Sequence, residues 1–299
     1  MPSVTFALDE SGAKGYSNNR EKAKGELGVV AGVLVPTESL SRVTYEIAKI
    51  TEKFKTDGKL HITDLIPSDQ ETLRNEIFSY LASVNARWVY EAMYVEGLYS
   101  NAQLALSLRE NVKKSRRSSV KISGNEKKDL LHSELLLGAF GKAVAFCVDY
   151  VGNDVHLNVI TDQLDAPIVK AFKDDVNRLL NIGKKCERKV TGFDTASQKV
   201  VSGSITTEIT EDLATVGDFS GVSYEIAVSD TPLTLIADII VNSVHHHLSS
   251  LQEQNPGCQL NTLESISGHQ LASLVYGVTG QESDIPQVAD TIFQYPSDA

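Results

Sequence analysis

The sequence predicts an α/β fold in which helices flank a mixed sheet. Two β-rich runs open the chain, and the second stops at Pro36, so the pair indicates an antiparallel hairpin. Further strands then alternate with helical segments, which is the order that crossover connections require. The chain has 299 residues, of which 41% are hydrophobic, and this is enough to bury one large core. We therefore expect a single domain over residues 1–299 rather than a helical bundle or a β-sandwich.

The first two strands are expected at residues 4–8 and 28–35, with a long charged connection between them. Hydroxyl side chains at Thr37 or Ser39, and at Ser68, suit the N-caps of the two helices that follow. The later elements are expected as a strand at 88–95, a helix at about 130–150, a strand at 155–161, a helix at 166–180, a strand at 224–228, a helix at 232–251 and one helix around 263–276, the last within a C-terminal extension, 255–299.

The net charge restricts how the chain could bind nucleic acid. With 28 Lys and Arg against 39 Asp and Glu, the formal charge is −11, so the molecule as a whole repels phosphate backbones and anionic membranes. A basic segment at 101–128, which we expect to be an insertion, is the local exception. Its residues Lys113, Lys114, Arg116 and Arg117 could track a phosphate backbone of DNA or RNA. A solvated, mobile loop is an equally good interpretation of the same run.

Cysteine use and hydropathy indicate a cytoplasmic protein. The three cysteines are far apart and form no CxxC pair, so the sequence predicts neither a disulfide framework nor a zinc site. The N-terminus lacks a basic region followed by an apolar stretch, and the apolar run at 233–244 is short and interrupted by Asp238. We therefore expect no secretion signal and no membrane span.

Three aspartates lie where strands end or where a helix is apolar. Asp9 follows the first strand, Asp162 follows the strand at 155–161, and Asp238 lies inside the apolar run. An unpartnered carboxylate in such surroundings is costly. Mg²⁺ or Mn²⁺ would stabilise all three, because these hard cations prefer oxygen ligands, and two such ions can cleave phosphodiesters. Carboxylates at strand ends are also common caps, so spacing alone leaves a purely structural role open.

Four sequence features together resemble a bacterial and phage family of RNase H-like proteins. The features are a DESG opening at 9–12, a Leu-His step at 60–61, the strand-end Asp162 and an Ala-Asp helix at 237–238. Two departures are a lysine at position 59 in place of an acidic residue, and Leu-Ile instead of Gln-Leu before the Ala-Asp pair. The resemblance covers roughly residues 4–248. It implies an RNase H-like fold and a metal-dependent nuclease, but it names no substrate.

Three further residues are candidates for the same site. Glu10 neighbours Asp9, but a regular strand would point the two side chains to opposite faces, which favours a capping or surface role unless the chain turns there. His61 could position water or bind phosphate, or could be a structural histidine. Glu134 begins the helix before the fourth strand, where the resemblance implies a metal-binding glutamate, although His-Ser-Glu is also an ordinary helix start.

The prediction that combines these observations is a nuclease-like hydrolase that depends on Mg²⁺ or Mn²⁺. Asp9, Asp162 and Asp238 are the expected metal ligands and catalytic residues, Glu134 a further metal ligand, and Glu10 and His61 further catalytic residues. Two alternatives use the same fold: a non-catalytic module that binds nucleic acid or protein, and a metal phosphatase that acts on small phosphate esters.

Overall fold

A computed structural model of the chain describes residues 1–13, 20–54, 60–116, 120–122, 130–181, 186–207, 219, 221–280 and 287–296. For 105, 106, 108–116, 120–122, 186–190, 205 and 207 it describes the backbone alone. The strands are β1 (Ser3–Gly12), β2 (Leu27–Pro36), β3 (Arg87–Tyr94), β4 (Val120–Ile122), β5 (Val155–Thr161), β6 (Cys186–Asp194), β7 (Lys199–Thr207) and β8 (Val222–Val228). The helices are α1 (Thr37–Thr51), α2 (Pro67–Ser83), α3 (Val95–Arg116), α4 (Leu130–Val151), α5 (Ala166–Leu180), α6 (Pro232–Gln254), α7 (Leu263–Ile266) and α8 (Val288–Ile292).

The main sheet has five strands in the order β3-β2-β1-β5-β8. β1 is antiparallel to β2, and β2 to β3, whereas β5 runs parallel to both β1 and β8. β4, β6 and β7 form a separate antiparallel sheet. The predicted mixed α/β class is confirmed: β1 and β2 form an antiparallel pair joined by a long connection, and the later strands of the main sheet are reached through helices.

Helices cover both faces of the main sheet. One face packs against α1, α2 and α6, and the other against α4 and α5. β1 and β2 are therefore buried along nearly their whole length, which explains why their sequences read as continuous apolar runs. Within the described part of the chain, α4 alone is long and apolar enough to cross a membrane, but 67% of its apolar window is buried inside the protein.

The C-terminal segment covers the outer edge of β3. The side chain of Asn261 accepts a hydrogen bond from the Ala92 amide and donates one to the Ala92 carbonyl, each at 3.0 Å, as a neighbouring strand would. The backbone amide of Tyr276 donates to the carbonyl of Trp88 at 2.9 Å. These bonds satisfy backbone groups that an exposed edge strand would leave open to other chains.

Several predicted boundaries are wrong for identifiable reasons. The single helix expected at 263–276 is broken, because α7 ends at Ile266 and Gly268 adopts a left-handed φ of +87°. Ser68 is not a cap, since Pro67 already opens α2. The expected insertion at 101–128 begins inside α3, a helix that the charge pattern did not indicate.

Candidate functional site

Asp9 lies near the end of β1, on the face that packs against α6. The β1–β2 register continues without interruption from Asp9 opposite Ala31 to Gly12 opposite Gly28, so the chain does not turn at Glu10. The side chain of Glu10 therefore points to the opposite face, toward α4. Asp9 is 9% exposed, and its Oδ1 accepts a hydrogen bond from the backbone amide of Glu10 at 2.8 Å.

The β1–β5 register brings Asp162 beside Asp9. These parallel strands pair as far as Ala7 opposite Ile160, and two further residues along each strand are Asp9 and Asp162. Parallel strands end at the same edge of a sheet, so the two carboxylates meet there. The half-buried Asp162 is the first residue after β5, and it owes its position to the length of that strand.

Asp238 reaches the same edge from α6. Its Oδ2 accepts a hydrogen bond from the backbone amide of Ile62 at 3.0 Å, and Nδ1 of His61 lies 3.8 Å from the same oxygen. The Asp238 side chain is 16% exposed and that of His61 is 40% exposed. The apolar neighbours of Asp238 on α6 offer no hydrogen-bond donor. The donor is instead the amide of Ile62, which lies 176 residues away in the chain.

α6 runs alongside β1, and one glycine permits the close approach. A Cβ on Gly12 would lie 2.4 Å from Nε2 of His245 and 2.5 Å from the carbonyl oxygen of Leu27. Asp9 and Gly12 are separated by about 10 Å of strand, and Asp238 and His245 by about 10 Å of helix. Asp238 therefore lies about as far along α6 from His245 as Asp9 lies along β1 from Gly12, which His245 contacts.

Burial and the surrounding carboxylates raise the pKa of Asp9 from 3.8 to about 8. Burial is the largest cause, followed by the negative charges of Glu10 and Asp162 and, to a smaller extent, that of Asp238, while the hydrogen bond from the Glu10 amide acts in the opposite direction. Asp9, Asp162 and Asp238 therefore interact electrostatically, as the sequence predicts for a shared site. Among the described residues, however, no three His, Cys, Asp or Glu side chains form a group that could hold a metal ion as they stand.

A buried histidine on the other face was not predicted as a site residue. Nε2 of His132, on the first turn of α4, lies 3.6 Å from Oε2 of Glu10, and both side chains are buried. Glu134 is half-buried two residues further along α4, so its side chain leaves the helix on a different side from His132, and it is not among the carboxylates that raise the pKa of Asp9. Alternation along β1 predicts that Glu10 faces away from Asp9, but no sequence signal identifies His132 as its partner.

Three polar residues form a stripe on α6, but this stripe does not line one pocket. Asp238, Asn242 and His245 share a helical face, but they contact three different segments. Nη2 of Arg74 donates to Asn242 at 3.4 Å, whereas His245 is hydrogen-bonded to the backbone of Leu27. Burial, together with the neighbouring His246, lowers the pKa of His245. These contacts give the second half of the stripe a packing role.

The predicted nucleic-acid-binding residues lie outside what the structure describes in detail. Lys113, Lys114 and Arg116 belong to the end of α3, for which only the backbone is described, and Arg117 lies outside the described residues.

No family model matches the chain, and no curated protein matches it either. The resemblance to RNase H-like proteins consequently stays a prediction.

Proposed function

We propose that the protein is a nuclease-like hydrolase that cleaves phosphodiesters with Mg²⁺ or Mn²⁺ at Asp9, Asp162 and Asp238. The observation that carries the proposal is the convergence of carboxylates on the buried Asp9, since Asp162 lies beside it at the end of the paired strand and the charges of Asp162 and Asp238 both raise its pKa. Such crowding of negative charge opposes folding unless a cation or a proton compensates it. The raised pKa therefore identifies the place in this acidic chain where a cation would be most stabilising.

The donor set fits a hard divalent cation in chemistry and in charge. The groups nearest Asp9 are carboxylates, and oxygen ligands are the ones that Mg²⁺ and Mn²⁺ prefer. The fit does not extend to preformed coordination, because the described side chains form no three-residue metal group. Asp9 and Asp162 lie at the same end of paired strands, and the charge of Asp162 acts on Asp9.

The chain's own residues would each have a separate task. When bound, the metal would supply an activated water and stabilise the charge on the leaving oxygen. The Ile62 amide holds one oxygen of Asp238 in place. The exposed imidazole of His61 lies on the solvent side of Asp238, where it can donate a hydrogen bond to a phosphate oxygen. Glu10 and His132 form a buried pair on the other face of the sheet.

A nucleic-acid substrate is part of the same proposal. Lys113, Lys114, Arg116 and Arg117 are the strongest concentration of positive charge in a chain of net charge −11. Neutralising these four side chains should weaken DNA or RNA binding and flatten its salt dependence. Unchanged affinity together with an unchanged salt slope would assign the segment to a solvated loop.

The decisive experiment measures metal binding before it measures cleavage. Calorimetric titration with MnCl₂ should give a binding signal for the unmodified protein that Asp238→Asn loses, because the amide keeps the shape of the side chain and removes its charge. Glu253→Gln is the matched control, since it makes the same change on an exposed position of α6. Mg²⁺-dependent cleavage of labelled DNA and RNA should likewise be lost in Asp238→Asn and retained in Glu253→Gln.

Two results would contradict the proposal. If Asp238→Asn keeps full metal-dependent cleavage, Asp238 is not a ligand. If the unmodified protein binds neither Mn²⁺ nor Mg²⁺ at millimolar concentration, the carboxylates have a structural role. The protein is then a non-catalytic module on the same fold, in agreement with the lack of a three-residue metal group among the described side chains.

A further inference from the structure

A pocket of about 240 Å³ lies at the end of the sheet opposite to Asp9. It is formed by the end of β2, the start of α1, the turn before β3 and the last turns of α4. Pro36 closes β2 opposite Val4, whereas Asp9 pairs five residues earlier with Ala31. That separation corresponds to about 17 Å of strand, so the pocket is distinct from the carboxylate site.

The charged groups that line this pocket are all cationic. Arg42 on α1 and Arg87 at the start of β3 are among the lining residues, and no carboxylate is. Nη1 of Arg87 donates to the carbonyl oxygen of Ser273 at 3.3 Å, which holds the side chain while leaving its other N–H groups available. Among the described residues, neither arginine forms an ion pair. Two guanidinium groups in one cavity of an acidic protein favour an anionic ligand, and their planar forks suit phosphate.

The same pocket has an aromatic wall. Tyr150 is 66% exposed and stacks on Phe146, with ring centroids 5.2 Å apart and an interplanar angle of 12°. Both rings line the pocket. An exposed aromatic face next to cationic side chains suits the base of a nucleotide, because every base has a π-face that can stack on it. Ser39 and Asn85 add hydrogen-bonding groups to the lining.

We propose that this pocket binds a nucleoside monophosphate, with the phosphate at Arg42 and Arg87 and the base against Tyr150. The ligand could be a free nucleotide or the phosphorylated end of a strand, which share this chemistry. The proposal does not depend on metal or on cleavage, since the pocket and the carboxylates lie at opposite ends of β1.

The test titrates AMP and UMP into the protein without divalent cations, in the Asp238→Asn background, with saturation-transfer NMR and calorimetry as readouts. The monophosphates should bind at least ~10-fold more tightly than adenosine or inorganic phosphate, because only they engage both halves of the pocket. A 5′-phosphorylated tetranucleotide distinguishes the two sources: binding as tight as that of AMP indicates a strand end, and exclusion indicates a free nucleotide.

Variants then assign the contacts. Arg42→Gln and Tyr150→Leu should each weaken AMP binding roughly 10-fold, and both positions are exposed, so folding should be unaffected. Lys49→Gln removes a charge from the same helix outside the pocket and should leave the affinity unchanged. The proposal is overturned if no monophosphate binds at millimolar concentration. It is equally overturned if inorganic phosphate binds as well as AMP and Tyr150→Leu has no effect.

Discussion

Replacing Asp9 with asparagine should stabilise the metal-free protein above neutral pH and have little effect near pH 4. Burial and the charges of Glu10, Asp162 and Asp238 raise the pKa of Asp9 from 3.8 to about 8. Between these two values the folded protein holds a proton that the unfolded chain has released. The contribution of Asp9 to the free energy of unfolding must therefore fall as pH rises through this range.

The size of the effect follows from the same two values. Their difference of about 4 pKa units, at about 1.4 kcal/mol per unit, sets an upper limit of about 6 kcal/mol. Solvent screening reduces this little, because Asp9 is 9% exposed. Asparagine keeps an oxygen that can accept the hydrogen bond from the Glu10 amide, so the substitution removes the charge alone. We expect the variant to exceed the unmodified protein in stability by about 2–5 kcal/mol at pH 8.5.

Urea unfolding in EDTA at several pH values between 4 and 8.5 measures the effect. Relative to Asp9→Asn, the unmodified protein should lose stability across this range by the amount given above. Glu253→Gln, an equal change of charge on an exposed carboxylate, should follow the unmodified protein. Parallel pH profiles for Asp9→Asn and the unmodified protein would refute the electrostatic argument. Adding Mg²⁺ at 100 times its Kd should restore about 2.7 kcal/mol to the unmodified protein only.

Two further substitutions test the packing around the site. Lys142→Met should lower the free energy of unfolding in urea by about 3–5 kcal/mol. Nζ of Lys142 lies 2.9 Å from Oε2 of the buried Glu91, and its loss leaves that carboxylate unpaired. Adding Glu91→Gln should recover part of the loss, and strict additivity in the double variant would contradict this explanation. Gly12→Ala should destabilise the protein by roughly 1–3 kcal/mol more than Gly152→Ala. Both glycines have positive φ, but a Cβ at position 12 would meet His245, whereas nothing lies within 4 Å of a Cβ at position 152. Equal losses of stability would show that φ alone is responsible.

The elements that could be predicted from sequence are those with an uninterrupted local pattern. β5 and α5 begin and end at the predicted residues, because alternation or helical periodicity runs through each and a proline or aspartate stands at its boundary. α3 was missed because the charged and polar side chains of its second half interrupt the apolar periodicity of its first half. The segment after Ile266 was mistaken for helix because one glycine with positive φ outweighs the helical pattern around it.

For the candidate site, residue types were predictable but contacts were not. The apolar neighbours of Asp238 imply that its carboxylate needs a partner, yet nothing local identifies the Ile62 amide as that partner. Asp162 meets Asp9 through the register of two strands that are far apart in the chain, and register is a property of the assembled sheet. The pairing of His132 with Glu10 depends in the same way on where α4 crosses the sheet.

The position of the third carboxylate depends on packing outside the site. Asp238 lies seven residues before His245 on α6, and the ring of His245 rests where Gly12 has no side chain. A side chain at position 12 would push α6 away from β1 and carry Asp238 with it, since a helix moves as a rigid element over two turns. Gly12→Ala should therefore weaken Mn²⁺ binding as well as lower stability, and Gly152→Ala should lower stability alone. If Gly12→Ala leaves Mn²⁺ affinity unchanged, the height of α6 does not control the carboxylate cluster, and the hydrogen bond from Ile62 must position Asp238 by itself.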